Sequence, residues 1–183
     1  MLPAGPLMIE HRLIEQAVSM IKKEGELISS TGRVDIPLLT TMVDFMRTYG
    51  DRCHHGKEEE ILFSALEKKD MDEEHRAMMA RLVNDHKRSR ALTSNLNTLL
   101  AAFQRGERGA VEEVIEILQT LASVYPEHIE LEDKFFFPAA MKYLSKEESD
   151  GMLKQFQEFD RGLIHEHYKG EVKRMKEQMG MSQ

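Results

Sequence analysis

Apolar residues recur at steps of three and four along almost the whole chain, and strand-like alternation is nearly absent. Such steps line up one face of an α-helix, so the pattern predicts an all-α protein. The breakers are few and well separated: Pro3 and Pro6, Gly32, Pro37, Lys69-Asp70, Gly106 and Gly109, and Ser145. They predict a first helix from about Leu7 to Ser29 and a second opening at Asp35-Ile36-Pro37, where proline suits the first turn. Asp72 reads as the N-cap of a third helix that ends at Gly106. A fourth runs from near Gly109 to near Tyr143, with Pro126 expected to kink it rather than break it. Ser145 to Glu148 forms a capping box that opens a fifth helix over about 146–178. Four long helices with short connections predict an up-down-up-down four-helix bundle over about 7–143. The additional C-terminal helix should pack on it through Phe156, Phe159, Leu163 and Ile164. All 183 residues read as a single domain, 1–183.

Polar residues interrupt the apolar stripes at particular places. The inward face of the first helix reads Leu7, His11, Ile14, Val18, Ile21. That of the third reads Met79, Leu82, His86, Ser89, Thr93, and that of the fourth Leu121, Tyr125, His128, Glu132, Phe135, Ala139. In the second helix Met46, Gly50, His54, Glu58 and Ile61 follow the same face less cleanly. An ionised carboxylate on a core face is costly unless it is paired or binds metal.

These interruptions are also duplicated. His54-x-x-x-Glu58 is followed by Leu62-Phe63, and His128-x-x-x-Glu132 by Phe136-Phe137. Each pair has a lone histidine upstream in an acid-His-base setting, Glu10-His11-Arg12 and Asp85-His86-Lys87. The spacing from His11 to His54 is 43 residues and that from His86 to His128 is 42, as if one helical hairpin had been used twice. A step of four stacks His over Glu on one face, so both reach one centre. One histidine on an apolar face is usually a satisfied core residue, and one His-x-x-x-Glu is common on helix surfaces. The duplication sets both explanations aside. Four imidazoles and two carboxylates, His11, His54, Glu58, His86, His128 and Glu132, make the ligand set of a two-metal centre. Imidazole nitrogen with carboxylate oxygen suits iron, manganese or zinc, and the lack of thiolates argues against a structural zinc or iron–sulfur site.

Neighbouring residues compete for the same roles. His55 and Glu59 repeat the spacing one residue along, but one helical step turns by about 100°, so His55 is expected at the helix edge and Glu59 pointing away. Asp133 competes with Glu132, which is preferred because it keeps the stripe. Tyr125 is expected near the centre, and Cys53 as a small buried residue rather than a nucleophile.

The net charge of −7, with no basic tract, argues against nucleic acid as a partner. No apolar run approaches the roughly 20 residues of a membrane span, and no signal peptide is evident. With a single cysteine and hence no internal disulfide, the reading is a cytoplasmic protein.

The residues from His11 to Pro138 resemble the hemerythrin-like, HHE cation-binding family. The resemblance rests on His11, His54 to Glu58 with Leu62-Phe63, His86, and His128 to Glu132 with Phe137-Pro138. It implies a four-helix bundle around two iron ions, a non-haem di-iron centre with an oxo or hydroxo bridge. It further implies dioxygen, peroxide or nitric oxide as small ligands. The function expected is oxygen- or peroxide-related redox chemistry. The alternative is an iron, redox or nitric-oxide sensor without turnover. Oxygen-carrying members have His-x-x-x-His on the third helix, whereas Arg90 stands four residues beyond His86. Arginine is a very poor ligand. One ion is therefore expected to lack an imidazole, unless His165 of the fifth helix supplies it. Ferritin-like iron oxidation ranks low, because no Glu-x-x-His pair is present.

Overall fold

A computed structural model describes residues 2–107, 109–160 and 164–181. Helix α1, Ala4–Thr31, closes where Gly32 takes a left-handed φ of 67° and its N–H bonds the Ile28 carbonyl. Glycine alone adopts that conformation freely. Helix α2 covers 36–66. The Asp35 side chain caps its start by accepting from the Leu38 N–H, with Pro37 in the first turn. It begins as the α-helix Ile36–Phe45, passes through π-helical Met46–His55 and Lys57–Phe63, and closes as Ser64–Leu66. Helix α3 is Glu73–Gln104. Helix α4 covers 111–143: an α-helix over Val111–Leu131, a π-helical turn over Glu132–Phe136, and a short close through Tyr143. Helices α5, Lys146–Phe159, and α6, Ile164–Gln178, complete the chain.

All elements among the described residues are helical, as the apolar spacing predicts. None is long and apolar enough to cross a membrane. The capping box is present in full: the Ser145 side chain accepts from the Glu148 N–H, and the Glu148 carboxylate accepts from the Ser145 N–H. Helix α4 runs through Pro126. The fifth helix expected over 146–178 is seen as α5 and α6, with a turn at Asp160. Leu163, expected on it, lies outside the described residues.

The least regular stripe in the sequence, that of α2, coincides with the π-helical stretches. Bonding from i to i+5 takes more residues into each turn, so one step rotates the chain less than in an α-helix. The three-and-four periodicity therefore drifts along the π-helical part of α2.

Helix α1 packs most extensively against α4, α4 against α3, and α3 against α2. The apolar core is divided. One cluster includes Ile14, Val18, Tyr49, Leu96, Leu121 and Ile129, with Tyr168, Val172 and Met175 of α6 laid on it. The other includes Leu7, Leu62, Phe63, Leu82, Phe136 and Phe137, with Met152 and Phe156 of α5. His11, His54 and His86 fall in sequence between members of the two clusters and His128 at the edge of the first, one residue before Ile129, so the polar layer has hydrocarbon on both sides.

Helices α1 and α4 come close at Gly25, where an added Cβ would stand 3.3 Å from the Leu118 Cβ. A branched side chain there must push the two helices apart. Gly25→Val should cost about 1–3 kcal/mol of unfolding free energy, the usual range for an overpacked core. Gly109→Ala, which meets nothing within 4 Å, should be nearly neutral in the same urea titration.

Candidate metal centre

Eleven side chains on four helices build the polar layer. Helix α1 supplies Glu10 and His11, α2 supplies His54, His55, Glu58 and Glu59, α3 supplies Asp85 and His86, and α4 supplies His128, Glu132 and Asp133. Among the described residues two buried quartets have donor atoms within 4.8 Å of one another. The first is His11, His54, Glu58 and Glu132; the second is His55, Glu58, His86 and His128. Glu58 belongs to both. Its Oε1 lies 3.4 Å from His54 Nε2 and its Oε2 lies 3.4 Å from His86 Nε2. Glu132 Oε2 lies 3.1 Å from His11 Nε2 and 3.3 Å from His128 Nε2, so it too stands between the quartets. The His86 and His128 Nε2 atoms approach to 3.2 Å.

The outward nitrogens of these rings each face an acid. His11 Nδ1 bonds Asp133 at 2.7 Å, His54 Nδ1 bonds Glu10 at 2.9 Å, and His86 Nδ1 bonds Glu59 at 2.7 Å. Asp85 lies 3.7 Å from His128 Nδ1. The pattern follows the duplication. The acid just before each lone histidine, Glu10 or Asp85, faces the histidine of the following His-x-x-x-Glu pair. The acid just after each motif glutamate, Glu59 or Asp133, bonds the lone histidine of the other repeat. An acid on Nδ1 fixes the tautomer, so that Nε2 presents its lone pair to the centre.

That inward lone-pair density has little to bond. His11 Nε2, His54 Nε2 and both oxygens of Glu58 and Glu132 are buried without a hydrogen-bond partner. Burial pushes Glu58 well above the usual carboxylate range, with Glu132 beside it adding to the effect. Burial acts the same way on Glu132, but His128 and His11 outweigh it and hold that carboxyl below its ordinary value. Burial drives His54 and His55 far down, so both are neutral. It also lowers His86, despite the bond to Glu59. On His11 burial is overridden by Asp133 and Glu132, which push it up to about 9. Without metal, then, protons are retained at His11 and Glu58 where positive charge is wanted. Nitrogen and oxygen donors with uncompensated negative charge in a dry layer fit divalent or trivalent ions such as iron.

The structure brings His11, His54, Glu58, His86, His128 and Glu132 together and corrects several neighbours. His55, expected at the helix edge, is 1% exposed and stacks on the His86 ring at 3.8 Å between centroids. The register drifts along the π-helical stretch Met46–His55, so an α-helical stripe misplaces His55. Glu59 and Asp133 do not point away idly; they orient His86 and His11. Arg90 leaves no gap, because it pairs with Asp51 at 2.6 Å and Glu59 at 2.8 Å while His55 fills the space beside His86. Five imidazoles, those of His11, His54, His55, His86 and His128, therefore line the polar layer. His165 is elsewhere, 3.0 Å from Asp160 and bonded to the Tyr49 hydroxyl at 3.1 Å. Tyr125 does lie near the centre, its ring parallel to His55 at 6.3 Å. Cys53 is buried, and burial, with the carboxylates nearby, pushes its thiol up to about 12. Glu10 and Asp85 were visible as acids beside histidines, but which ring each faces depends on helix packing.

The family model of the hemerythrin HHE cation-binding domain matches residues 5–140. No curated protein and no solved structure gives a match.

The orienting role of the offset acids is testable apart from ligation. Glu59→Gln and Asp133→Asn should each weaken metal affinity about 10–100-fold, the usual effect of losing a partner behind a ligating histidine. Glu58→Ala and Glu132→Ala should abolish tight binding, and exposed Glu60→Gln should leave it unchanged. Competition against a chromophoric chelator reads all five.

Proposed function

The chain belongs to the hemerythrin HHE cation-binding family, and we propose that it holds two iron ions per chain in an up-down-up-down four-helix bundle. One ion would be held by His11 and His54, the other by His55, His86 and His128, with Glu58 and Glu132 between them. The observation that carries this reading is the set of buried, unpartnered nitrogen and carboxylate oxygen atoms facing one another across the layer. Such a set without cations would cost several kcal/mol.

When bound, the iron pair supplies Lewis-acid and one-electron chemistry for dioxygen or peroxide. The protein's part is to orient the rings through Asp133, Glu10, Glu59 and Asp85, and to keep bulk water out with the two apolar clusters. A crevice too tight for a water-sized sphere lies beside the second quartet, lined by His55, Asp85, His86, Ser89, Val124, Tyr125 and His128. Tyr125 and Ser89 also line an adjoining, wider cavity of about 210 Å³ with Arg47, Asp51 and Arg90, which gives small ligands a polar approach. Burial pushes the Tyr125 hydroxyl above its ordinary value, so it stays protonated and can donate a hydrogen bond to a small anion.

The function proposed is redox chemistry of oxygen or peroxide in a cytoplasmic setting. A second reading, an iron, redox or nitric-oxide sensor without turnover, is favoured by one observation. The His54 side of the centre connects through Glu10, Lys57 and Asp160 to the C-terminal helices, which could carry a change of state outward.

Protein from iron-replete cells should contain about two irons per chain by elemental analysis. Less than half an ion of any metal per chain would refute the centre. Metal-free protein should melt well below the loaded form, since an ion at 100 times its Kd adds about 2.7 kcal/mol. His55→Ala beside wild type, followed by oxygen uptake, peroxide loss and optical spectrum, separates the two functions. Sustained peroxide loss supports redox turnover; a spectral response to nitric oxide without consumption supports sensing.

A further inference from the structure

Among the described residues Lys57 is the largest polar side chain that is fully buried, at 0% exposure. Its ammonium bonds Glu10 Oε1 on one side and Asp160 Oδ1, at 2.7 Å, on the other. The second oxygen of Glu10 takes the His54 Nδ1–H at 2.9 Å. The second oxygen of Asp160 lies 3.0 Å from His165 Nε2, and His165 Nδ1 bonds the Tyr49 hydroxyl at 3.1 Å. A single file of polar groups therefore runs from His165, 30% exposed on α6, to a ring of the metal layer. Asp160 and His165 lie beyond residues 5–140, the span matched by the family model.

Glu10, Cys53, Asp160 and His165 also place donor atoms within 4.8 Å of one another. A second metal there is not the better account, because the Lys57 ammonium already bridges Glu10 and Asp160. The end of α5 is seated close by. A Cβ on Gly56 would meet the Phe159 ring at 2.9 Å, and the Phe156 ring lies 6.0 Å from Lys57 Nζ.

We propose that Lys57 is a positioning residue for His54, held in place by Asp160 and His165, so that the C-terminal helices govern how firmly the His54 side of the centre keeps its ion. The proposal rests on the metal-centre reading. A carboxylate can hold an imidazole N–H in one plane only if it is itself fixed. Glu10 is fixed by Lys57, and Lys57 by Asp160. Removing Asp160 leaves the ammonium one carboxylate short in a dry site, and Lys57 and Glu10 must then shift together. The coupling is reciprocal: loading the His54 side favours the docked arrangement of α5 and α6.

The test uses the full chain loaded with cobalt(II), whose paramagnetism moves the exchangeable ring N–H protons of ligating histidines into a clear region of the proton spectrum. Wild type, Lys57→Met and Asp160→Ala are compared, with circular dichroism and melting as controls for folding. One shifted N–H signal should move or broaden in both variants while the others stay. One of the two ions should pass to a chelator about 10-fold faster, the low end for loss of an outer partner. Unchanged signals and release rates in folded Asp160→Ala overturn the proposal, even if Lys57→Met does not fold. Absence of shifted signals in cobalt-treated wild type overturns both this proposal and the metal reading, so the two failures are distinct.

Discussion

Glu58 and Glu132 sit at 0% exposure in the middle of the helical bundle, and neither has a hydrogen bond to either oxygen. Two carboxylates in that position cannot both be ionised without positive charge beside them. The surrounding groups follow from this constraint. His11 is drawn toward protonation, Glu58 is driven to keep its proton, and His54 and His55 are held neutral. The apolar clusters on either side make the demand sharper, since they deny the layer the water that would otherwise satisfy it.

The π-helical turns are how the backbone meets that demand. In a regular α-helix His54 and His55 would diverge by about 100°. The wider turns over Met46–His55 and Lys57–Phe63 shift the register along α2, where His54, His55, Lys57 and Glu58 are all buried. A third such stretch begins at Glu132 on α4. Lys57–Phe63 and Glu132–Phe136 thus hold the motif glutamates, and π-helical turns are frequent at functional sites.

Around the inner donors lies a shell of acids that repeats the internal duplication. Glu10 and Asp85 face the histidine of their own repeat, while Glu59 and Asp133 reach across to the other. The crossing links ties α2 to α3 and α4 to α1, so the geometry of the rings depends on the helices staying in register. The departure from this symmetry is on the α1–α2 side. There Glu10 is held by Lys57, and Lys57 by an acid at the end of α5. Among the described residues Asp85 pairs instead with the exposed Arg81, 3.8 Å away.

The sequence by itself determined the helical class, most helix ends and the six residues His11, His54, Glu58, His86, His128 and Glu132 as interruptions of apolar stripes. Those readings depend on local periodicity and capping, which are properties of neighbouring residues. The first helix begins three residues earlier than its apolar pattern suggests, at Ala4, because end positions carry little periodic signal. What only the tertiary structure decided is the place of residues one step off the stripe. His55 faces inward because the π-helical turn changes the rotation per residue, and no periodicity rule signals that turn. Glu59 and Asp133 gain a role because the next helix puts an imidazole nitrogen 2.7 Å away. Lys57 is buried because Glu10 and Asp160, 47 and 103 residues distant along the chain, meet around it. Charge pairing across such separations is set by helix packing, which the pattern along one helix does not encode.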